Sequence, residues 1–456
     1  MKTIIEKEVD DNINSIITDL KKLIQIPSVS AKNQSLVECA KMISELMNDY
    51  GIRSELLYLE NNNSSIPPII HGEVKSKKNP NGKTILFYNH YDVQPEDPID
   101  KWDYPPFEGT VLNNCIYGRG AADDKGELIT RIKAVEFFLK KTGDVPCNIK
   151  FLVEGEEEVG SKHISKYLNK YQDKFSCDGI IWEFGYIDTN NKPIISLGMK
   201  GLLYVELFSQ GPVRDTHSSL AVLIENPAWK LIKLLDTIRD ENGNILIKDW
   251  YKDVRSFTKD ELDILKSEEF DELAFRKEYG ISNFISNLSG LEAKKALVAN
   301  PTCNIAGLVS GYTGNGAKTI IPSSASVKID FRLVPNMVPE KQFQLLKRHI
   351  DSSKYNKDIQ LYMIHGEAAS RTSVNHPFVL LISDCAKDIF GDATLSISSA
   401  GTGPMHAFHQ YLNAPAISIG STFVYSRIHS PNEFARIDLL ISMTKCVGRI
   451  IEKFND

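Results

Sequence analysis

The chain has 456 residues, 42% hydrophobic and 25% charged, more than one hydrophobic core organises, which points to an ordinary globular protein of two domains. A net charge of −6 leaves no basic footprint for nucleic acid and no cationic face for a membrane. No apolar run approaches about 18 residues, the start MKTIIEKEVDDNINSII is charged, and the seven cysteines are scattered without a CxxC pair, so the sequence reads as a reduced, cytoplasmic protein.

In chain order, residues 12–24 and 35–50 carry apolar side chains at helical spacing, among them Leu36, Ala40, Ile43, Leu46 and Met47. The short apolar run 84–88 reads as a buried strand. The glycine-punctuated loop GRGAADDKG (118–126) then leads into a helix over 127–140, with Leu128, Ile132, Val135 and Leu139 on one face. Two more apolar runs, 149–153 and 179–182, follow. Strands alternating with helices predict an α/β sheet, mostly parallel. From about residue 202 the texture changes. Residues 204–208 and 324–333 alternate with period two, as in an antiparallel sheet wet on one face, and 240–295 are charged and helix-rich. Near 375 the α/β texture returns, ending in the run 416–419, a loop and a last helix. The chain therefore reads as one α/β domain (1–201 and 373–456) interrupted by an α+β domain (202–372).

Four apolar runs of the α/β part lead into side chains able to hold a metal. The first enters Asn89-His90-Tyr91-Asp92, the second Glu154-Gly155-Glu156-Glu157-Glu158, and the third Glu183. The fourth is followed by a loop holding His429-Ser430-Pro431-Asn432-Glu433. Ligands of open α/β sheets bind at the carboxyl ends of strands, where such loops converge. Alone, each piece has a bland account: Asp123 and Asp124 as helix caps, His429 as a hydrogen-bonded loop residue. Together they offer imidazole and oxygen donors that suit Zn²⁺, with Mn²⁺ or Co²⁺ as alternatives. Converging carboxylates repel and take up protons unless a cation receives them. Two divalent ions about 3.5–4 Å apart, bridged by one carboxylate, would do so and create a hydrolytic site. His406 and His409, three residues apart, read as helix residues rather than a zinc pair.

The ordered segments NHYDVQP (89–95), YGRGAADDKG (117–126), EGEEEVGS (154–161), RDTHSS (214–219), SGYTGNGAKTIIP (310–322), GPMHAF (403–408) and HSPNE (429–433) resemble the M20 family of co-catalytic metallopeptidases and amidohydrolases. The resemblance implies a catalytic domain of zinc-peptidase type, interrupted by a ferredoxin-like, antiparallel lid and dimerisation domain, and a homodimer. It implies two metals: His90 and Glu183 on the first, Glu158 and His429 on the second, and Asp123 bridging, with Asp124 at a position the family does not use. Asp92 would hold the His90 ring and Glu157 would be the general base. From the lid, His217 would reach the scissile carbonyl, often in the partner subunit. Arg332, on the polar face of its strand, reads either as a clamp for a substrate carboxylate or as an ordinary salt-bridge residue, with Thr319, Asn304 and Gly403 as weaker contact candidates. The implied activity is hydrolysis of dipeptides or of the C-terminus of short peptides. The rivals are an N-acyl amino acid deacylase and a non-catalytic binding protein on the same fold. Two departures bear on substrate. Ser219 stands where dipeptidases usually have glycine, and Glu183 where they tend to have aspartate.

Overall fold

The apolar runs that end in ionisable residues become the centre of an eight-stranded sheet. A computed structural model describes residues 3–59 and 65–455. The chain divides into two units, one formed by Met1–Gly198, Arg371–Ile397 and Gly403–Asp456, the other by Met199–Ser370 and Ser398–Thr402.

In the first unit, Asn148–Glu154, Thr84–His90, Gly179–Trp182 and Ala416–Ser418 lie side by side and are parallel. These strands are buried almost throughout, which is why they read as continuous apolar runs rather than alternating ones. Around that parallel centre the sheet is mixed. Arg53–Leu57 and Ile69–Val74 extend one side with antiparallel pairings, and Ile194–Ser196 meets Ala416–Ser418 antiparallel at Ser418 and Ser196. The outermost strand keeps Arg53 and Glu55 exposed, so it has one wet face that only an antiparallel edge tolerates easily. Lys125–Thr142 packs on this sheet, and Ile437–Lys453 packs on that helix. The first of these helices ends where Gly143, at φ +71°, donates its N–H to Leu139 O at 2.9 Å, a left-handed cap that glycine adopts without strain.

In the second unit, four antiparallel strands run in the spatial order Asn304–Ser310, Ser324–Leu333, Gly201–Gln210, Ile359–Glu367. Pro227–Leu235 follows the first of these strands in the chain and Pro339–Ser352 precedes the last, giving the βαββαβ order of a ferredoxin-like fold. Along Ser324–Leu333, Ala325, Val327, Ile329 and Phe331 are buried with Leu203, Val205, Leu231, Leu346 and Trp250, while Lys328 is exposed. The charged stretch after the first helix forms Lys259–Ser267, Glu272–Tyr279 and Gly290–Ala299. A Thr258–Glu261 capping box opens the first of these three. All seven cysteines are free, and among the described residues no helix is long and apolar enough to cross a membrane.

Candidate active site

Because the four central strands are parallel, their carboxyl ends lie on one edge of the sheet, and that edge collects the ionisable residues. His90 closes its strand opposite Glu154, with its ring buried. Its Nδ1 donates to the Asp92 carbonyl oxygen at 3.0 Å, which leaves Nε2 as the nitrogen turned toward Asp123 and free to ligate a metal. The Asp92 carboxylate stands farther off, 3.5 Å from that Nδ1. It accepts instead the backbone N–H groups of Glu157 at 3.2 Å and Glu158 at 3.0 Å. Asp92 is expected to hold the His90 ring. It does so mainly with its main chain, because the carboxylate is committed to the glutamate turn.

Asp123 aims one carboxylate oxygen each way: Oδ1 lies 3.1 Å from His90 Nε2 and Oδ2 lies 3.2 Å from His429 Nε2. His429 Nε2 is also 3.1 Å from Glu158 Oε2, and Gln94 steadies that carboxylate by donating from Nε2 at 2.8 Å. Two groups able to hold a metal result, His90–Asp124–Glu183 and Asp123–Glu158–His429, with candidate ligand atoms inside each group within 4.8 Å of one another. Asp124 thus comes closer to the centre than the sequence suggested. Its Oδ2 is already occupied by Asn89 Nδ2 at 2.7 Å and the His90 N–H at 3.0 Å. The peptide between Asp123 and Asp124 is cis.

The three neighbouring glutamates separate. Glu156 pairs with His163 Nδ1 at 2.8 Å, Glu158 faces His429, and the carboxyl of Glu157 lies in the field of Glu158, Asp123 and Asp92. Glu183 follows Gly179–Trp182 directly, and the end of that strand delivers it to the cluster.

The electrostatics describe a nest whose carboxylates outnumber the two imidazoles among them. Burial, then repulsion from Glu157, pushes the Glu183 carboxyl well up, and burial pushes Asp124 up to about 8. Burial also lifts Glu157, with Glu158 and Asp123 adding to it. Burial would raise Asp123 as well, yet hydrogen bonds from His429 and His90 hold it well below the usual carboxylate range. His429 is lifted to about 10 by Asp123 and Glu158. Among the described residues, Asp124 Oδ1 and Glu183 Oε2 are buried without a hydrogen-bond partner. Protonated imidazoles and carboxyls are what such a cluster adopts when no cation neutralises it. The donor set and the orphaned oxygens both fit divalent metal.

Three buried residues that the sequence reading gave no role position this centre. Glu433 Oε1 accepts the backbone N–H of Ala122 at 3.0 Å and of Asp123 at 3.1 Å, and its Oε2 pairs with Arg119 at 2.6 Å. Arg131 donates to the carbonyls of Trp182 and Glu183 at 2.8 Å and of Ile419 at 3.2 Å. Glu127, one turn before Arg131, receives the Ser421 hydroxyl at 3.0 Å and the Thr422 hydroxyl at 3.1 Å. The only signal in the sequence was position: Glu433 ends HSPNE, and Glu127 and Arg131 follow DDKG.

The second unit holds the remaining candidates. His217 pairs with Ile320 in a short antiparallel ladder, exposed, with Thr319 Oγ1 3.5 Å from its Nε2. Arg332 Nη1 donates to Thr402 Oγ1 at 2.6 Å. Asn304 is exposed and spends its amide on Asp330 at 2.8 Å. Gly403 belongs to the first unit, just before the Met405–Leu412 helix that carries His406 and His409.

The sequence profile of peptidase family M20/M25/M40 matches residues 86–453. A Cys-Gly metallodipeptidase of Schizosaccharomyces pombe is 30% identical over 357 residues, covering 75% of this chain and 74% of that one. A Beta-Ala-His dipeptidase of Homo sapiens is 30% identical over 382 residues, 81% of this chain and 74% of the relative. Among solved structures, an M20 family metallo-carboxypeptidase from Sulfolobus solfataricus aligns with a TM-score of 0.89 at 37% identity, covering 96% of this chain and 99% of that one. A central sheet with acidic loops at one edge, a separate ferredoxin-like unit and these alignments agree: the chain belongs to peptidase family M20/M25/M40 and is a peptide-bond hydrolase.

Proposed function

We propose that the protein is a co-catalytic metallopeptidase that cleaves dipeptides, or the C-terminal bond of short peptides, with two divalent ions, Zn²⁺ suiting the donors best and Mn²⁺ or Co²⁺ next. The observation that carries this reading is the Asp123 carboxylate, with one oxygen toward His90 and the other toward His429. His90, Asp123 and Glu183 would hold one ion; Asp123, Glu158 and His429 the other. When bound, the ions supply Lewis acidity to a water and to the scissile carbonyl.

The residues of the chain do the rest. Glu157 takes a proton from the attacking water and returns it to the leaving nitrogen. Asp92 fixes the turn that carries Glu157 by accepting its backbone N–H. In the interrupting domain, 202–372, acting as lid and dimerisation domain, His217 donates to the carbonyl oxygen as charge develops. Arg332 offers two guanidinium donors to a substrate carboxylate, with Thr319, Asn304 and Gly403 as further contacts. The dipeptidase and carboxypeptidase relatives support substrates with a free carboxylate. A homodimer working in the cytoplasm completes the reading.

One observation favours N-acyl amino acid deacylation as a second reading: Glu183, where the dipeptidases tend to have aspartate. A desuccinylase of Blochmanniella floridana is 31% identical over 248 residues, 52% of this chain. A panel of dipeptides, their C-terminal amides, and acetyl- and succinyl-amino acids, run with metal analysis, separates the two. Turnover of free dipeptides and loss of it on amidation supports the peptidase. Turnover of acylated amino acids alone overturns it.

A further inference from the structure

The serine that departs from the family pattern lies against the imidazole proposed to stabilise the reaction. The backbone of His217 is fixed by the ladder with Ile320, but the residue is exposed, so hydrogen bonds are left to orient its ring. Two contacts do so. The Ser219 backbone N–H donates to His217 Nδ1 at 3.2 Å, and the Ser219 hydroxyl lies 2.8 Å from the same nitrogen. A backbone N–H only donates, so Nδ1 is the acceptor and the neutral ring carries its proton on Nε2. The Ser219 hydroxyl then finds the same lone pair and reinforces that choice. On the far side, Nε2 faces Thr319 Oγ1 at 3.5 Å, too long to hold the proton firmly.

We infer that Ser219 is a positioning residue that locks His217 in its Nε2–H tautomer, so that the ring always presents a donor to the substrate. This rests on the reading of His217 as donor to the scissile carbonyl oxygen. The physical need is plain. A ring protonated on Nδ1 would turn a lone pair toward the developing negative charge and repel it. Glycine at position 219 would keep the backbone donor but lose the hydroxyl. This chain therefore holds by two donors what glycine would hold by one.

The test uses the full-length, metal-loaded protein with ¹⁵N-labelled histidine. Long-range ¹H–¹⁵N spectra, recorded where the ring is neutral, read its tautomer, and the His217 signal is assigned by its loss in His217→Gln. The wild type shows the Nε2–H pattern. Ser219→Ala, which keeps the backbone donor, moves His217 to a tautomer mixture. It lowers kcat about three- to tenfold, as loss of one hydrogen bond predicts, with KM changed less than about twofold. Ser219→Thr restores both readouts. An Nδ1–H pattern in the wild type, an unchanged pattern in Ser219→Ala, or no recovery in Ser219→Thr overturns the inference. Unchanged kcat in His217→Ala overturns the reading of His217 beneath it, and the spectra then still report the tautomer, which tells the two failures apart.

Discussion

The Glu433 carboxylate grips Asp123 by its main chain, accepting its N–H at 3.1 Å across more than 300 residues of sequence. Asp123 is the residue whose two oxygens face His90 and His429, so Glu433 fixes the backbone from which that carboxylate projects. The grip is buried and charged, because the same carboxylate pairs with Arg119 at 2.6 Å.

Glu433→Gln keeps an acceptor for the two N–H groups and removes the charge facing Arg119. The variant is expected to fold, with metal affinity lowered about 10- to 100-fold, the range seen when an outer partner of a metal ligand is lost. Glu433→Ala also leaves Arg119 buried and unpaired, at a cost of about 3–5 kcal/mol in stability. Competition titration with a metal chelator and thermal unfolding measure the two effects separately. Unchanged affinity in Glu433→Gln would remove Glu433 from the site.

Glu157→Gln tests the proton transfer itself. Its backbone N–H, held by Asp92, is untouched, so the turn and both metal groups should persist. The expected outcome is normal metal content with kcat lower by about 10²–10⁴-fold, the worth of a positioned acid–base group. A variant that binds metal and turns over at the wild-type rate would sink the general-base role.

Arg131 ties the carbonyls of Trp182, Glu183 and Ile419 to one guanidinium, joining two of the strand ends that build the centre. Arg131→Met keeps most of the volume and frees all three carbonyls. Expected are a loss of about 3–5 kcal/mol, because Glu127 loses its buried cation, and weaker metal binding where Glu183 contributes. Metal stoichiometry at limiting concentration checks the second claim. Full occupancy with undiminished affinity would show that Glu183 does not need its backbone held.

Asn148–Glu154 and Gly179–Trp182 were legible because strands buried on both faces read as unbroken apolar runs, and a carboxylate at the end of such a run is conspicuous. His90, Glu158 and Glu183 stood out for that reason, and the structure gathers them with Asp123 and His429. Glu127 and Arg131 were invisible. Four residues apart on a helix, they look like a solvated surface pair, and only burial of the Lys125–Thr142 helix on nearly every side reveals otherwise. Glu433 was concealed by distance, since a hydrogen bond between residues 123 and 433 leaves no local pattern. The antiparallel edge strand Arg53–Leu57 was missed because five alternating residues beside a helix carry little signal.

The helix residue His409 gives the fold a dependence on pH that is separate from the acidic cluster. Burial, with His406 nearby, pulls its imidazole down to about 4 from an ordinary 6.5, and its Nε2 is buried without a hydrogen-bond partner among the described residues. The folded pKa lies below the unfolded one, so between pH 6.5 and 4 the unfolded chain binds the extra proton. Stability from this group is therefore full above about pH 6.5 and drains away as the pH falls toward 4, below which the loss is complete. His409→Met fills similar space and does not titrate. Between pH 7 and 5 the wild type should lose about 1–2 kcal/mol more stability than His409→Met. Protonation of the acidic cluster acts on both proteins equally and cancels in that difference. Denaturant unfolding at the two pH values measures it. Parallel losses would mean that the imidazole reaches water in the folded protein.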